Sequence, residues 1–204
     1  MSHVPVSRET SERLDILCTM VERWNRAINL VAAATIAQLR HRHIADSTQL
    51  VAFLPNKAQH WVDLGSGAGF PGLVIAAQLV EFAPDCRVTL IESDQRKAVF
   101  LREASRAMAI QTNVITGRIE NTPHQQADVI SARALAPLTH LLYLTSLHLK
   151  THGTAIFLKG QEMASEVRVA AKDGWKFEST QHKSATDPGG AIVIVRNMTR
   201  EHSK

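Results

Sequence analysis

The sequence predicts an α/β fold, a mostly parallel seven-stranded sheet closing on an antiparallel hairpin and preceded by a helical extension. Three observations predict it. From His60 onward, short runs rich in Val, Ile and Leu alternate with amphipathic stretches of helical length, the pattern of a parallel sheet covered on both faces. The run Val62-Asp63-Leu64-Gly65-Ser66-Gly67-Ala68-Gly69-Phe70-Pro71-Gly72 takes an apolar strand through a glycine-dense turn into an apolar helix. The last two strand candidates leave no room for a helix between them, and Asp187-Pro188-Gly189-Gly190 supplies turn chemistry there.

The elements follow in order. Residues 7–31 read as one helix, because Leu14, Leu17, Val21, Trp24 and Ile28 form an apolar stripe. A second helix is expected from Thr35, with Gln38 completing a capping box, to Leu54, where Pro55 ends the run. These helices make residues 1–57 an N-terminal helical extension and 58–204 the sheet domain. Strands are expected at 61–64, 87–92, 113–116, 127–132, 154–159, 175–181 and 191–196. Helices are expected at 72–81, 94–108, 137–148 and 161–172.

With 204 residues, 45% of them hydrophobic, the chain can bury one sizeable core and is short for two. The net charge of +4 suits a polyanionic partner without requiring one. The two cysteines, Cys18 and Cys86, form no CxxC pair, so neither a disulfide framework nor a zinc site is expected. The N-terminus is polar and no apolar run is long enough for a bilayer, so a cytoplasmic, non-membrane protein is expected. No exposed apolar seam stands out, and a monomer is expected.

The glycine loop reads in two registers. Gly67, Gly69 and Gly72 satisfy the G-x-G-x-x-G of a dinucleotide site, whose pyrophosphate sits on a helix N-terminus. From Asp63 the pattern is D-x-G-x-G-x-G, which needs no phosphate and puts a carboxylate at the strand tip, where it can face a ligand ammonium group. Pro71 removes an amide donor that a pyrophosphate uses, which favours the second register. A nicotinamide-dependent oxidoreductase remains the rival enzyme class, although no hydride-accepting residue stands near the fourth strand. A non-enzymatic RNA-binding protein is the rival of another kind.

Glu92 closes the second strand at the place expected of a ribose-binding carboxylate. Lys97 follows in the first turn of the next helix. Beyond the third strand come Arg118, Ile119 and Glu120; Ile119 is placed to pack on an adenine ring while Glu120 or a neighbouring amide meets its polar edge. Arg133 ends the fourth strand, either as a salt-bridge partner of an acid such as Asp63 or as a ligand contact, and Lys159 adds a cation on the same rim. Arg40-His41-Arg42-His43 reads as a basic patch, with a plain solvated helix face as the alternative. His41 and His43 stand two apart and point to different helix faces, so no metal site is expected.

Together these residues resemble the GidB (RsmG) family of bacterial 16S ribosomal RNA guanine-N7 methyltransferases. Trp24-Asn25, Asn29-Leu30 and Arg42-His43-Ile44-Ala45-Asp46-Ser47 are similar to that family's W-N, N-L and R-H-x-x-D-S signatures. The stretch Asp63–Gly72 resembles its D-x-G-[ST]-G-x-G-x-P-G loop. Glu92-Ser93, Lys97 with Phe100-Leu101, Arg118 with Glu120, Arg133-Ala134 and Lys159-Gly160 fall where the family has similar residues. Ala132 and Val31 depart from its usual Ser and Thr. The resemblance implies a class I, Rossmann-like methyltransferase sheet with an antiparallel last strand. It also implies S-adenosyl-L-methionine as cofactor and guanine 527 of 16S ribosomal RNA, within the small ribosomal subunit, as substrate. It places Gly65, Phe70, Ile119, Glu120 and Arg133 on the cofactor, beside Gly67 and Glu92. Arg118, Arg133 and Lys159, with the Arg40/Arg42 helix, are then expected to hold the RNA or the pocket that accepts the base.

Overall fold

Helix α1 (Arg8–Trp24) begins where the Ser7 side chain accepts the backbone N–H of Thr10, a side-chain cap that satisfies one orphan donor. The structure is a computed structural model that describes residues 6–160, 163–186 and 189–201. The helix does not reach Val31 as its stripe suggests. Asn25 Oδ1 accepts the N–H groups of Leu30 (2.8 Å) and Val31 (3.0 Å), folding residues 25–31 back into a turn.

The expected second helix is a composite of 3₁₀ (Ala33–Gln38), π (Leu39–Ile44), α2 (Ala45–Thr48) and 3₁₀ (Gln49–Phe53) turns. The capping box does not form. Thr35 spends its hydroxyl on the carbonyl of Ala32 (2.8 Å) and on His43 Nε2 (3.1 Å). The wide π turn falls on Arg40-His41-Arg42-His43, a local irregularity of the kind that often re-aims side chains at functional sites.

The sheet contains β1 (His60–Leu64), β2 (Arg87–Glu92), β3 (Asn113–Thr116), β4 (Ala127–Arg133), β5 (Leu149–Lys159), β6 (Trp175–Lys183) and β7 (Ala191–Arg200). Their spatial order is 3-2-1-4-5-7-6. Strand β7 runs antiparallel to both β5 and β6, so the hairpin sits at one edge with β7 on its inner side. Strands β5, β6 and β7 all run longer than their apolar runs suggest, because ladder pairing carries the polar ends along. Of the expected turn, Asp187 and Pro188 lie outside the described residues, as does the expected start of the last helix at Gln161; Ser184 N–H meets Gly190 O at 3.0 Å.

Helices α3 (Gly72–Phe82), α4 (Gln95–Ala107), α5 (Leu138–Ser146) and α6 (Met163–Lys172) cover the sheet. Alternation along the strands feeds two cores. Trp61, Leu90, Ile192 and Ile194 pack with Leu14, Leu73 and Phe100 on the face that carries α1, α3 and α4. Val62, Ile91, Val193 and Val195 pack with Leu138, Leu142 and Ala170 on the face that carries α5 and α6. The N-terminal helices thus share one core with the sheet.

Candidate active site

Strands β1 to β5 are parallel, so Leu64, Glu92, Thr116, Arg133 and Lys159 all end on one edge of the sheet. The strand order reverses between β1 and β4, where open α/β sheets form their ligand crevice. The loop after β1 and Arg133 at the end of β4 flank it.

The glycine turn is anchored from both sides. Ile91 O accepts Gly65 N–H (2.9 Å) and Ser66 N–H (3.1 Å), and Gly67 N–H donates to Glu92 Oε2 at 2.8 Å. Gly67 holds a left-handed φ of +52°, and beyond Gly65 O at 3.8 Å no atom stands near where its Cβ would lie. The other Glu92 oxygen accepts the N–H of Asp94 at 2.8 Å. Asp94 in turn caps α4, accepting the N–H groups of Arg96 (2.8 Å) and Lys97 (3.1 Å). Glu92 is therefore buried and fixed, while each of its oxygens keeps a lone pair for a further donor.

A cavity of about 350 Å³ opens above this turn, lined among others by Gly65, Gly67, Glu92, Lys97, Ile119 and Glu120. Arg118 and Arg133 border it as well. Arg118 is exposed and stands 3.5 Å from Glu120. Ile119 is held by its carbonyl, which lies 3.0 Å from His148 Nε2. Phe70 does not line this cavity. It lies behind the wall, stacked on His43 with centroids 5.1 Å apart, and Arg133 Cζ sits 5.9 Å from its ring centre.

Asp63 departs from the expectation that it faces a ligand ammonium group. It is 0% exposed, beneath the loop, with Ser131 Oγ donating to its Oδ1 at 2.7 Å and Trp61 Nε1 donating to Ser131 Oγ at 2.9 Å. Burial pushes its pKa up to about 6 against the hydrogen bonds that lower it. Gly72 passes so close that an added Cβ would lie 2.6 Å from Asp63 Oδ2.

A second cavity, about 550 Å³, lies on the other side of Arg133 and Ala134, which line both. Its walls include Arg42, Asp46, Arg133, Lys159 and Thr186. The carboxylate nearest Arg133 is Asp46, with Oδ2 3.9 Å from Nη1, and not Asp63. Arg133 Nη2 donates to His43 Nδ1 in a short contact. His43 Nε2 consequently carries the hydrogen and donates to Thr35 Oγ1. Burial, with Arg133 and Arg42 nearby, lowers the His43 pKa to about 4, so the ring is neutral near pH 7.

The expected basic patch is split by the fold. His43 is buried, Arg40 pairs with Asp15 of α1, and Arg42 faces the second cavity. Lys159 is likewise no free rim cation. Its ammonium, 11% exposed, lies 2.7 Å from Glu166 Oε2 and 3.1 Å from Ala136 O. Glu166 Oε2 also accepts Leu138 N–H at 2.6 Å, so this pair ties the loop after Arg133 to α6. Sequence reasoning placed His43 in a basic patch and both His43 and Asp46 in the R-H-x-x-D-S signature, but paired neither with Arg133. Their i, i+3 spacing, which puts both on one side of a helical turn, was the available signal.

The donor set fits an adenosyl cofactor: a fixed carboxylate with open lone pairs, a side-chain-free turn and an apolar Ile119. Among the described residues no group of three or more His, Cys, Asp or Glu side chains could hold a metal. No described helix is long and apolar enough to cross a membrane.

Comparison with known proteins narrows the chemistry. Residues 10–192 match the GidB family, described as rRNA small subunit methyltransferase G. A "Ribosomal RNA small subunit methyltransferase G" of Cereibacter sphaeroides is 45% identical over 97% of this chain and 96% of its own. One from Gluconobacter oxydans is 47% identical, covering 96% of this chain and 97% of its own. Among solved structures, M. jannaschii TYW2 in complex with AdoMet superposes with a TM-score of 0.57 at 19% identity, covering 78% of this chain and 76% of its own, a likeness of fold. The chain belongs to the GidB family, rRNA small subunit methyltransferase G, and carries the class I methyltransferase fold.

Proposed function

We propose that this protein methylates N7 of guanine 527 in the 16S ribosomal RNA of the small subunit, as a cytoplasmic monomer. One observation carries the reading: two cavities share the Arg133–Ala134 wall, a smaller one built for a nucleoside cofactor and a larger one lined by Arg42, Arg133 and Lys159. The names of the relatives point to small-subunit RNA as the acceptor.

Gly65, Gly67, Glu92, Ile119, Glu120 and Arg133 hold the cofactor, with Glu92 on the ribose hydroxyls and Phe70 supporting Arg133 from behind. When bound, S-adenosylmethionine supplies a sulfonium methyl that guanine N7, which carries a lone pair and no proton, can take by direct in-line displacement. No general base is needed, which suits a centre in which His43, the histidine bonded to Arg133, is neutral and engaged at both ring nitrogens. The protein's contribution is positioning and charge management. Arg118 sits on the rim to meet the RNA backbone, Arg133 faces the base, and Lys159 with Glu166 holds the loop that walls the pocket. The helical extension, residues 1–57, completes the acceptor side through Gln38, His41, Arg42 and Asp46, while 58–204 hold the cofactor. N7 is inaccessible in a regular A-form helix, so the acceptor is presented unstacked.

The test is incubation of the purified protein with methyl-labelled S-adenosylmethionine and small subunits lacking the modification, followed by nucleoside analysis. Label in 7-methylguanosine supports the proposal. Label in another nucleoside, or none from protein that binds cofactor, refutes it.

A further inference from the structure

The larger cavity holds a donor and an acceptor side by side. Arg133 Nη1 is buried and makes no hydrogen bond. Asp46 Oδ2 lies 3.9 Å away, outside hydrogen-bond range. The opposite Asp46 oxygen is committed, accepting Ser184 Oγ at 3.0 Å and Thr186 Oγ1 at 3.1 Å, which fixes the carboxylate's orientation. A buried guanidinium donor without a hydrogen-bond partner is costly, and a ligand acceptor would relieve it.

Guanine presents the matching pair. Its O6 accepts and the neighbouring N1–H donates, whereas adenine reverses both groups. Resting on the methyltransferase reading above, we infer that Arg133 Nη1 and Asp46 Oδ2 read guanine together, Arg133 donating to O6 and Asp46 accepting from N1–H. This makes Asp46 a specificity-determining residue.

His43 has a defined part in this arrangement. An unrestrained arginine binds guanine bidentately, one N–H on O6 and one on N7. Such a bond would occupy the N7 lone pair that has to attack. His43 Nδ1 holds Arg133 Nη2, and the His43–Phe70 stack fixes the imidazole, which pins the guanidinium with its Nη1 end toward Asp46 and O6, so the two-pronged grip does not form and N7 stays free. Neutral His43 is required, because the protonated ring has no acceptor to offer.

The test uses Asp46→Asn. Its amide oxygen can keep the bonds from Ser184 and Thr186 while its NH₂ group replaces Oδ2. Affinity is measured, with S-adenosylhomocysteine present so that no transfer occurs, for small subunits carrying guanine or adenine at the acceptor position. Wild type should bind the guanine form at least tenfold more tightly. The variant should bring the ratio within about threefold and leave S-adenosylhomocysteine affinity unchanged. A merely structural role for Asp46 weakens both subunits equally and preserves the ratio, which would overturn the proposal, as would equal binding by wild type. Failure of wild type to bind either subunit would instead overturn the RNA-methyltransferase reading. If the variant does not fold, subunits carrying 2,6-diaminopurine probe the same pair from the RNA side. Wild type should reject them as it rejects adenine, and acceptance would refute the assignment.

Discussion

Replacing Glu92 with Gln probes the cofactor site at its most constrained point. The carboxylate accepts Gly67 N–H and Asp94 N–H, both at 2.8 Å, and keeps one lone pair per oxygen for the ribose. An amide can accept through one end only, so its NH₂ end faces both a backbone N–H and a ribose hydroxyl. Hydrogen bonds to a charged group are worth about 1.5–3 kcal/mol each. Losing one ribose bond and weakening the other to a neutral bond removes about 3 kcal/mol, a factor of about 100 in Kd. Titration calorimetry with S-adenosylhomocysteine reads that factor. Thermal unfolding without ligand reads the separate loss at the Gly67 turn. A folded Glu92→Gln protein that binds within threefold of wild type would refute the reasoning, because Glu92 would then serve the turn alone.

Other substitutions test the packing and charge beneath the site. Gly72→Ala should destabilise by about 1–3 kcal/mol, since the new Cβ would lie 2.5 Å from Leu90 Cδ2 and 2.6 Å from Asp63 Oδ2; a denaturant midpoint equal to wild type would contradict the overpacking. Lys159→Met should cost about 3 kcal/mol by leaving Glu166 without its counter-charge, visible in the same unfolding experiment. Asp63 has a folded pKa of about 6, above its ordinary 3.8, so its contribution is full below the lower value and lost as pH rises through the upper one. Wild type should therefore gain about 1.4 kcal/mol relative to Asp63→Asn between pH 7.5 and pH 5. His43, with its pKa lowered to about 4, contributes in the opposite sense in both proteins, so their difference isolates Asp63.

Much of the fold was legible because its signals are local. Val62–Leu64 and Val88–Ile91 are apolar enough to be buried on both faces, and the glycine turn can only join a strand to a helix. The rim of the smaller cavity was legible for the same reason: Glu92 and Arg133, which line it, stand at strand ends. What escaped the sequence depends on contacts between distant residues. The run from 33 to 53 has helical periodicity, yet Thr35 and Arg133 both bond to His43, and the run adopts a π turn there. Lys159 read as a rim cation because its partner Glu166 lies on a helix whose docking no local pattern reports. Asp46 gained its meaning only when β4 brought Arg133 beside it, 87 positions later in the chain by the difference of their numbers.

The most direct test of the account maps the methyl group on the RNA. Small subunits lacking the modification are treated with the protein and S-adenosylmethionine, and the 16S RNA is then cleaved chemically at 7-methylguanosine. The account predicts one new cleavage, at guanine 527, absent when Arg133→Ala replaces the wild type at saturating cofactor. Cleavage elsewhere, or undiminished cleavage at 527 by Arg133→Ala, would contradict it.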